Sequence, residues 1–132
     1  IHEVMSRQCG YLAASTARQY RQRLKDQYFP AGFGFCREKL DVHAVYVPEL
    51  PVNIDAEAAR LKTVMDTIGC VNIILSEGAA VEDILRDLEA KGEAVPRDAR
   101  TGEIRKDAIQ PSNYFSNQFA RLLKAEKVMV QK

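Results

Sequence analysis

Val71-Asn72-Ile73-Ile74-Leu75 is a short apolar run without alternation, and the polar and small residues Ser76-Glu77-Gly78-Ala79 follow it directly. Apolar runs of this length are typical of a strand that is covered on both faces of a sheet. A second strand is predicted at 42–47, where β-branched residues precede Pro48. Strands buried on both faces are characteristic of α/β proteins, so these two runs favour that fold class.

Helices are predicted around the two strands. Apolar residues recur three and four positions apart from Ser6 to about Lys25, which indicates a long amphipathic helix. Further helices are predicted at 56–68 with Asp55 as N-cap and Gly69 as stop, from 81 to just before Gly92, and at 111–123. A last strand is predicted at 127–130. Alternating helices and strands predict a three-layer α/β sandwich with a mainly parallel, Rossmann-like sheet.

Two connections are long. Residues 27–41 contain Pro30, two glycines and several aromatic residues, so we expect a loop-like insertion. Its aromatic residues are Tyr28, Phe29, Phe33 and Phe35, and they either fold onto their own domain or contact a neighbouring subunit. The polar stretch 93–110 predicts a surface connection with a hairpin around Thr101-Gly102.

Composition narrows the class of protein. The length of 132 residues predicts one α/β domain over 1–132, and the chain begins with Ile1, so we expect an excised part of a longer protein. With 19 basic and 18 acidic side chains and no long apolar run, we expect a cytoplasmic protein without nucleic-acid or membrane partners. The three cysteines have neither disulfide nor zinc-site spacing, so reduced thiols are expected.

Ligands of parallel sheets bind beyond the carboxyl ends of the strands, which draws attention to Glu49 and Glu77. Glu77 is expected either to bind sugar hydroxyls or to cap the helix that starts near Val81. Glu49 is expected to be a turn or pairing residue. Met5-Ser6-Arg7 lies at a predicted helix start, where backbone N–H groups and the Arg7 guanidinium would hold an anion. In the alternative interpretation Ser6 is an N-cap and Arg7 is a solvated side chain.

A complete catalytic set is not visible in the sequence. It contains neither a dinucleotide-binding GxGxxG motif nor a P-loop, and neither His2 nor His43 has an acidic or nucleophilic partner at motif spacing. The residues alone therefore predict an α/β domain with one site for an anionic sugar.

Several segments resemble, in order, successive motifs of the phosphofructokinases. These segments are 3–12, 47–50, 72–79, 91–98 and 125–132. More narrowly, they are similar to the bacterial pyrophosphate-dependent branch, whose members are transferases that act on fructose 6-phosphate in glycolysis. The resemblance implies a phosphofructokinase domain that forms the sugar-phosphate-binding part of a larger chain.

The resemblance also implies roles for individual residues. The family motif Met-Gly-Arg corresponds to Met5, Ser6 and Arg7, with serine in place of glycine. It implies that Met5 and Ser6 lie against the sugar phosphate and that Arg7 is catalytic, stabilising the transferred phosphoryl group. Glu77 would bind a fructose hydroxyl.

The implied reaction is reversible transfer of a phosphoryl group from diphosphate to the 1-hydroxyl of fructose 6-phosphate with Mg²⁺. The family's donor loop, its catalytic aspartate and most of its metal ligands belong to segments outside this sequence, so the stretch alone is expected to be inactive. The full-length enzyme is expected to be a homo-oligomer. An ATP-dependent 6-phosphofructokinase and a non-catalytic sugar-phosphate-binding regulatory domain remain the alternatives.

Overall fold

Three parallel strands form the sheet of the computed structural model, which describes residues 1–30, 32, 34–124 and 127–132. Strand β1 spans His2–Val4, β2 spans Ala44–Tyr46 and β3 spans Ile73–Ser76. β3 lies in the centre, between β1 and β2, and all four of its residues are buried. The strand expected at 71–75 and the parallel α/β arrangement are thus confirmed.

Five α-helices accompany the sheet in the described part of the chain. They are α1 (Tyr11–Lys25), α2 (Arg37–Leu40), α3 (Ile54–Ile68), α4 (Val81–Ala90) and α5 (Pro111–Leu123). α5 has the predicted bounds. α3 ends at Gly69 as expected, because Gly69 adopts a φ of 89° that favours glycine. The predicted cap of α3 is wrong: Asn53, not Asp55, is the N-cap, and its side chain accepts a hydrogen bond from the Ala56 N–H at 2.9 Å.

The prediction for the first helix is also wrong at its start. α1 begins at Tyr11 rather than near Ser6, because the residues before it first form β1. β1 pairs along β3, with His2 opposite Ile74 and Val4 opposite Ser76. A strand of three residues carries too little pattern to be recognised without the partner strand that completes its hydrogen bonds.

Helices pack against both faces of the sheet. Successive residues of β3 point to opposite faces, so Ile73 and Leu75 join one apolar cluster while Ile74 joins another. The first cluster includes residues of α3, α4 and α5, and in it Phe115 stacks on Tyr46 with ring centroids 5.0 Å apart. The second cluster includes Ala13 and Ala17 of α1.

The chain after α5 runs beside β1. The strand predicted at 127–130 is not formed as such, and Gln131 instead makes a parallel bridge to His2. The Gln131 N–H donates to the Ile1 carbonyl at 2.9 Å, and the Glu3 N–H donates to the Gln131 carbonyl at 2.8 Å. Ala125 and Glu126 of the motif at 125–132 lie outside the described residues.

Both long connections contact the rest of the domain, one through Val95 and Ile104 and the other through its end at Leu40. The hairpin predicted around Thr101-Gly102 is confirmed by an antiparallel bridge between Arg97 and Ile104. The end of the 27–41 insertion packs on α1, since the Tyr20 hydroxyl donates to the Leu40 carbonyl at 2.7 Å. Tyr28 and Phe35 are exposed, and Phe33 lies outside the described residues. None of the helices in the described ranges is long and apolar enough to cross a membrane.

Candidate functional site

Two loops lie side by side at the carboxyl edge of the sheet. One follows β1 and contains Ser6 and Arg7, and the other follows β3 and begins with Glu77. The Glu77 N–H donates to the Val4 carbonyl at 3.0 Å, and the fully buried Ser76 hydroxyl donates to the Ser6 carbonyl. The first loop is therefore attached to the end of the central strand.

Arg7 and Glu77 contact each other across these loops. Arg7 Nη2 lies 2.6 Å from Glu77 Oε1, and Arg7 Nη1 lies 3.4 Å from the Asp107 carbonyl. The Arg7 side chain is 48% exposed and the Glu77 side chain 31% exposed, so both are accessible to a ligand. Because an ion pair this exposed contributes at most about 1 kcal/mol to stability, its main effect is to orient the two side chains.

The anion site predicted at the start of α1 is not present in that form. Ser6 and Arg7 precede the helix, whose N-cap is Gly10. The Ser6 hydroxyl donates to the Cys9 carbonyl, so Ser6 is not the N-cap either. The Gly10 N–H instead donates to Glu49 Oε1 at 2.7 Å. This carboxylate already supplies the negative charge that a helix N-terminus favours, which confirms Glu49 as a pairing residue.

Gly78 lies against the loop that follows β1. The space that a side chain would fill at this position is taken by the chain itself. A Cβ atom added at Gly78 would lie 1.7 Å from the carbonyl oxygen of Arg7. The capping alternative for Glu77 is also wrong, because the N-cap of α4 is Ala80.

A cleft of about 600 Å³ opens beside Arg7. Its lining includes Arg7, Glu49 and Gly78 together with residues from the start of α4 and from the 3₁₀ turn Lys106–Ala108. Charges of both signs line it, and some of them pair with each other, as Lys106 Nζ and Glu82 Oε1 do at 2.5 Å. Met5 lies on the same loop as Arg7 and is 81% exposed. The cleft thus combines cationic donors and carboxylate acceptors, and Met5 and Glu77 lie outside its lining.

Other chemically active residues serve the fold. His43 accepts a hydrogen bond on Nδ1 from the Asn72 N–H at 2.9 Å, and its Nε2 lies 3.0 Å from the Glu38 carbonyl. Both ring nitrogens are occupied, so His43 joins β2 to the start of β3. Cys9, Cys36 and Cys70 are unbridged thiols. Within the described ranges, we find no group of three or more His, Cys, Asp or Glu side chains that could hold a metal ion.

Sequence reasoning missed the two residues that fix the loops. Ser76 and Gly78 flank Glu77, and each acts through a contact with the loop after β1. A serine at the carboxyl end of an otherwise apolar strand was the available signal, because a buried hydroxyl needs a hydrogen-bond partner. Which atom it bonds follows only from the pairing of β1 with β3.

Comparison with known proteins identifies relatives along the entire chain. All 132 residues align with pyrophosphate–fructose 6-phosphate 1-phosphotransferases of Mastigamoeba balamuthi at 51% identity, of Methylomonas methanica at 50% and of Propionibacterium freudenreichii subsp. shermanii at 50%. Each match includes 100% of this chain and 32% of the relative. No family model matches the chain, and no solved structure does. The chain is therefore a relative, over its whole length, of the pyrophosphate-dependent branch of the phosphofructokinases, and it spans about a third of the length of the curated relatives that it matches.

Proposed function

We propose that this chain is the sugar-phosphate-binding part of a longer pyrophosphate-dependent phosphofructokinase with a three-layer, Rossmann-like domain. The full enzyme would transfer a phosphoryl group reversibly from diphosphate to the 1-hydroxyl of fructose 6-phosphate. The names of relatives about half identical to this chain support the reaction class. The observation that carries the proposal is the contact between Arg7 and Glu77 at the carboxyl edge of the sheet, where parallel sheets bind ligands.

The chemistry of the two side chains suits this reaction. The transition state of phosphoryl transfer spreads negative charge over the phosphoryl oxygens, and a guanidinium directed at them stabilises that charge. A glutamate without a cation beside it would repel the same oxygens. The ion pair with Arg7 neutralises Glu77, while the second carboxylate oxygen can accept a hydrogen bond from a fructose hydroxyl.

Met5 and Ser6 would complete the sugar side of the site. Met5 is exposed on the same loop as Arg7, so its thioether can pack against the sugar ring. The Ser6 carbonyl accepts from the buried Ser76 hydroxyl, so the backbone of this segment has a fixed position. Preorganised loops of this kind bind a substrate without the entropic cost of ordering.

The donor, the metal and the base are proposed to come from other segments. Among the carboxylates that line the cleft, Glu49 is engaged by Gly10 and Glu82 by Lys106, and the described residues contain no group of three or more His, Cys, Asp or Glu side chains that could hold a metal ion. Magnesium would be bound mainly by groups outside these residues. We propose that the full-length enzyme is a homo-oligomer that acts in glycolysis in the cytoplasm.

The test uses the full-length protein that contains this chain. Fructose 6-phosphate and Mg²⁺ are supplied with either diphosphate or ATP, and formation of fructose 1,6-bisphosphate is followed. We expect turnover with diphosphate and little with ATP. Turnover with ATP alone would support the ATP-dependent alternative. Binding of fructose 6-phosphate by calorimetry without turnover on either donor would support the regulatory domain and exclude the enzyme.

A further inference from the structure

We propose that Gly78 is a positioning residue, whose missing side chain sets the place of Arg7 in the site. The expected effect on catalysis rests on the proposed function, whereas the contact between Gly78 and the Arg7 backbone does not. A Cβ at this position would meet three backbone atoms of Arg7, at 1.7 Å from the carbonyl oxygen, 2.6 Å from the carbonyl carbon and 2.9 Å from Cα.

The conflict is steric and does not come from backbone conformation. Gly78 is buried, and it is not among the glycines with a positive φ. The left-handed conformation that favours glycine is therefore not the reason for a glycine here. All three atoms that the methyl group would meet belong to the main chain of Arg7, so rotation of a side chain cannot relieve the overlap. The loop itself must move.

Contacts on both sides of Arg7 limit how the loop can move. Upstream, the Val4 and Ser6 carbonyls are held by the Glu77 N–H and the Ser76 hydroxyl. Downstream, the Gly10 N–H is held by Glu49. With both ends attached, an added methyl group displaces mainly the Arg7 peptide, by about 1 Å, because a contact of 1.7 Å must lengthen to at least 3.0 Å. Misplacement of a catalytic group by about 1 Å can lower a rate about 100-fold.

The first experiment measures kinetics of the full-length protein. We expect Gly78→Ala to lower kcat/KM for fructose 6-phosphate about 100-fold. Gly69→Ala is the control, because an added Cβ there meets nothing within 4 Å and affects only the end of α3. The control should lose thermal stability with little change in kcat/KM.

A double-mutant cycle separates positioning from general damage. If Gly78 acts through Arg7, Gly78→Ala should cost less than about threefold in an Arg7→Ala background, because the group it positions is already absent. Equal costs of Gly78→Ala in both backgrounds would overturn the inference while leaving the proposed function intact.

A crystal structure of the full-length Gly78→Ala variant gives a readout that does not depend on activity. We expect Arg7 Nη2 and Glu77 Oε1 to be separated beyond hydrogen-bond distance. A structure in which these two atoms remain 2.6 Å apart would overturn the inference, whether or not the wild-type protein is active. A wild-type protein that is inactive with both donors would refute only the proposed function.

Discussion

The Arg7 guanidinium lies 2.6 Å from the Glu77 carboxylate, although 70 residues separate the two in sequence. β1 and β3 bring them together, because adjacent parallel strands end at the same edge of the sheet. Neither residue belongs to a helix or strand. Glu77 follows β3 directly and Arg7 follows β1 after Met5 and Ser6, so the sheet determines their separation.

Replacement of Arg7 by alanine should reduce catalysis by the full-length protein much more than it reduces stability. Removal of one preorganised donor from a developing oxyanion costs about 100-fold to 1,000-fold in kcat. Lysine at this position keeps the charge but not the planar fork, so Arg7→Lys should recover only part of the loss. Steady-state kinetics with fructose 6-phosphate and diphosphate measure both variants.

Arg21→Ala is a matched control for Arg7→Ala. Arg21 is also 48% exposed, and its Nε pairs with Asp41 Oδ1 at 2.9 Å, far along α1 from the site. We expect its kcat/KM to equal that of the wild type. If both arginine variants lose activity equally, or neither does, Arg7 has no special part in the reaction.

Glu77→Gln tests the sugar-binding half of the pair. Glutamine keeps the size of the side chain and loses its charge, so the proposed hydrogen bond to a fructose hydroxyl should weaken. A charge-assisted hydrogen bond contributes about 1.5–3 kcal/mol, so KM for fructose 6-phosphate should rise about tenfold or more. KM for diphosphate should change less. A KM for fructose 6-phosphate that stays at the wild-type value would remove Glu77 from the sugar contact.

The sequence predicted the parts of the fold whose pattern is local. The run at 71–75 and α5 were predicted because their apolar residues are continuous or periodic over enough positions. β1 was missed because His2–Val4 becomes a strand only through its pairing with β3. The same tertiary pairing explains why Arg7 was assigned to a helix start, since only β1 shows that the chain is still extended before it.

The candidate site was predictable to a similar extent. Strand ends and the family resemblance indicated Met5, Ser6, Arg7 and Glu77, and their roles stay predictions. The supports of the site were not predictable, because the contact of Gly78 with the Arg7 backbone and the cap that Glu49 places on α1 both join residues distant in sequence. Such contacts depend on loop conformations that no local pattern encodes.

Glu49→Ala should destabilise the start of α1. Loss of a capping acceptor costs about 1 kcal/mol, because the Gly10 N–H then loses its partner. Glu49→Gln keeps an acceptor oxygen for the Gly10 N–H. It should lose only the favourable interaction of the negative charge with the helix N-terminus, which contributes about 0.3–1 kcal/mol to stability. Thermal unfolding shows which of the two variants is less stable. A glutamine variant less stable than the alanine variant would contradict the capping role.

Glu57→Gln should remove part of the dependence of stability on pH. The hydrogen bond from Arg60 lowers the pKa of Glu57, and the bond from the Tyr46 hydroxyl at 2.8 Å acts in the same direction, against the effect of burial. A folded-state pKa below the unfolded value of about 4.5 means that ionised Glu57 stabilises the fold above that pH, and that the contribution is lost as pH falls through the lowered pKa. The wild-type protein should therefore have a higher melting temperature than Glu57→Gln at pH 7, and the difference between the two melting temperatures should disappear in acid.

The control is Asp66→Asn, which removes an exposed ion pair with Lys62 and should shift the melting temperature little at either pH. If the difference in melting temperature between the wild type and Glu57→Gln stays the same in acid, the charge of Glu57 is not the cause of that difference.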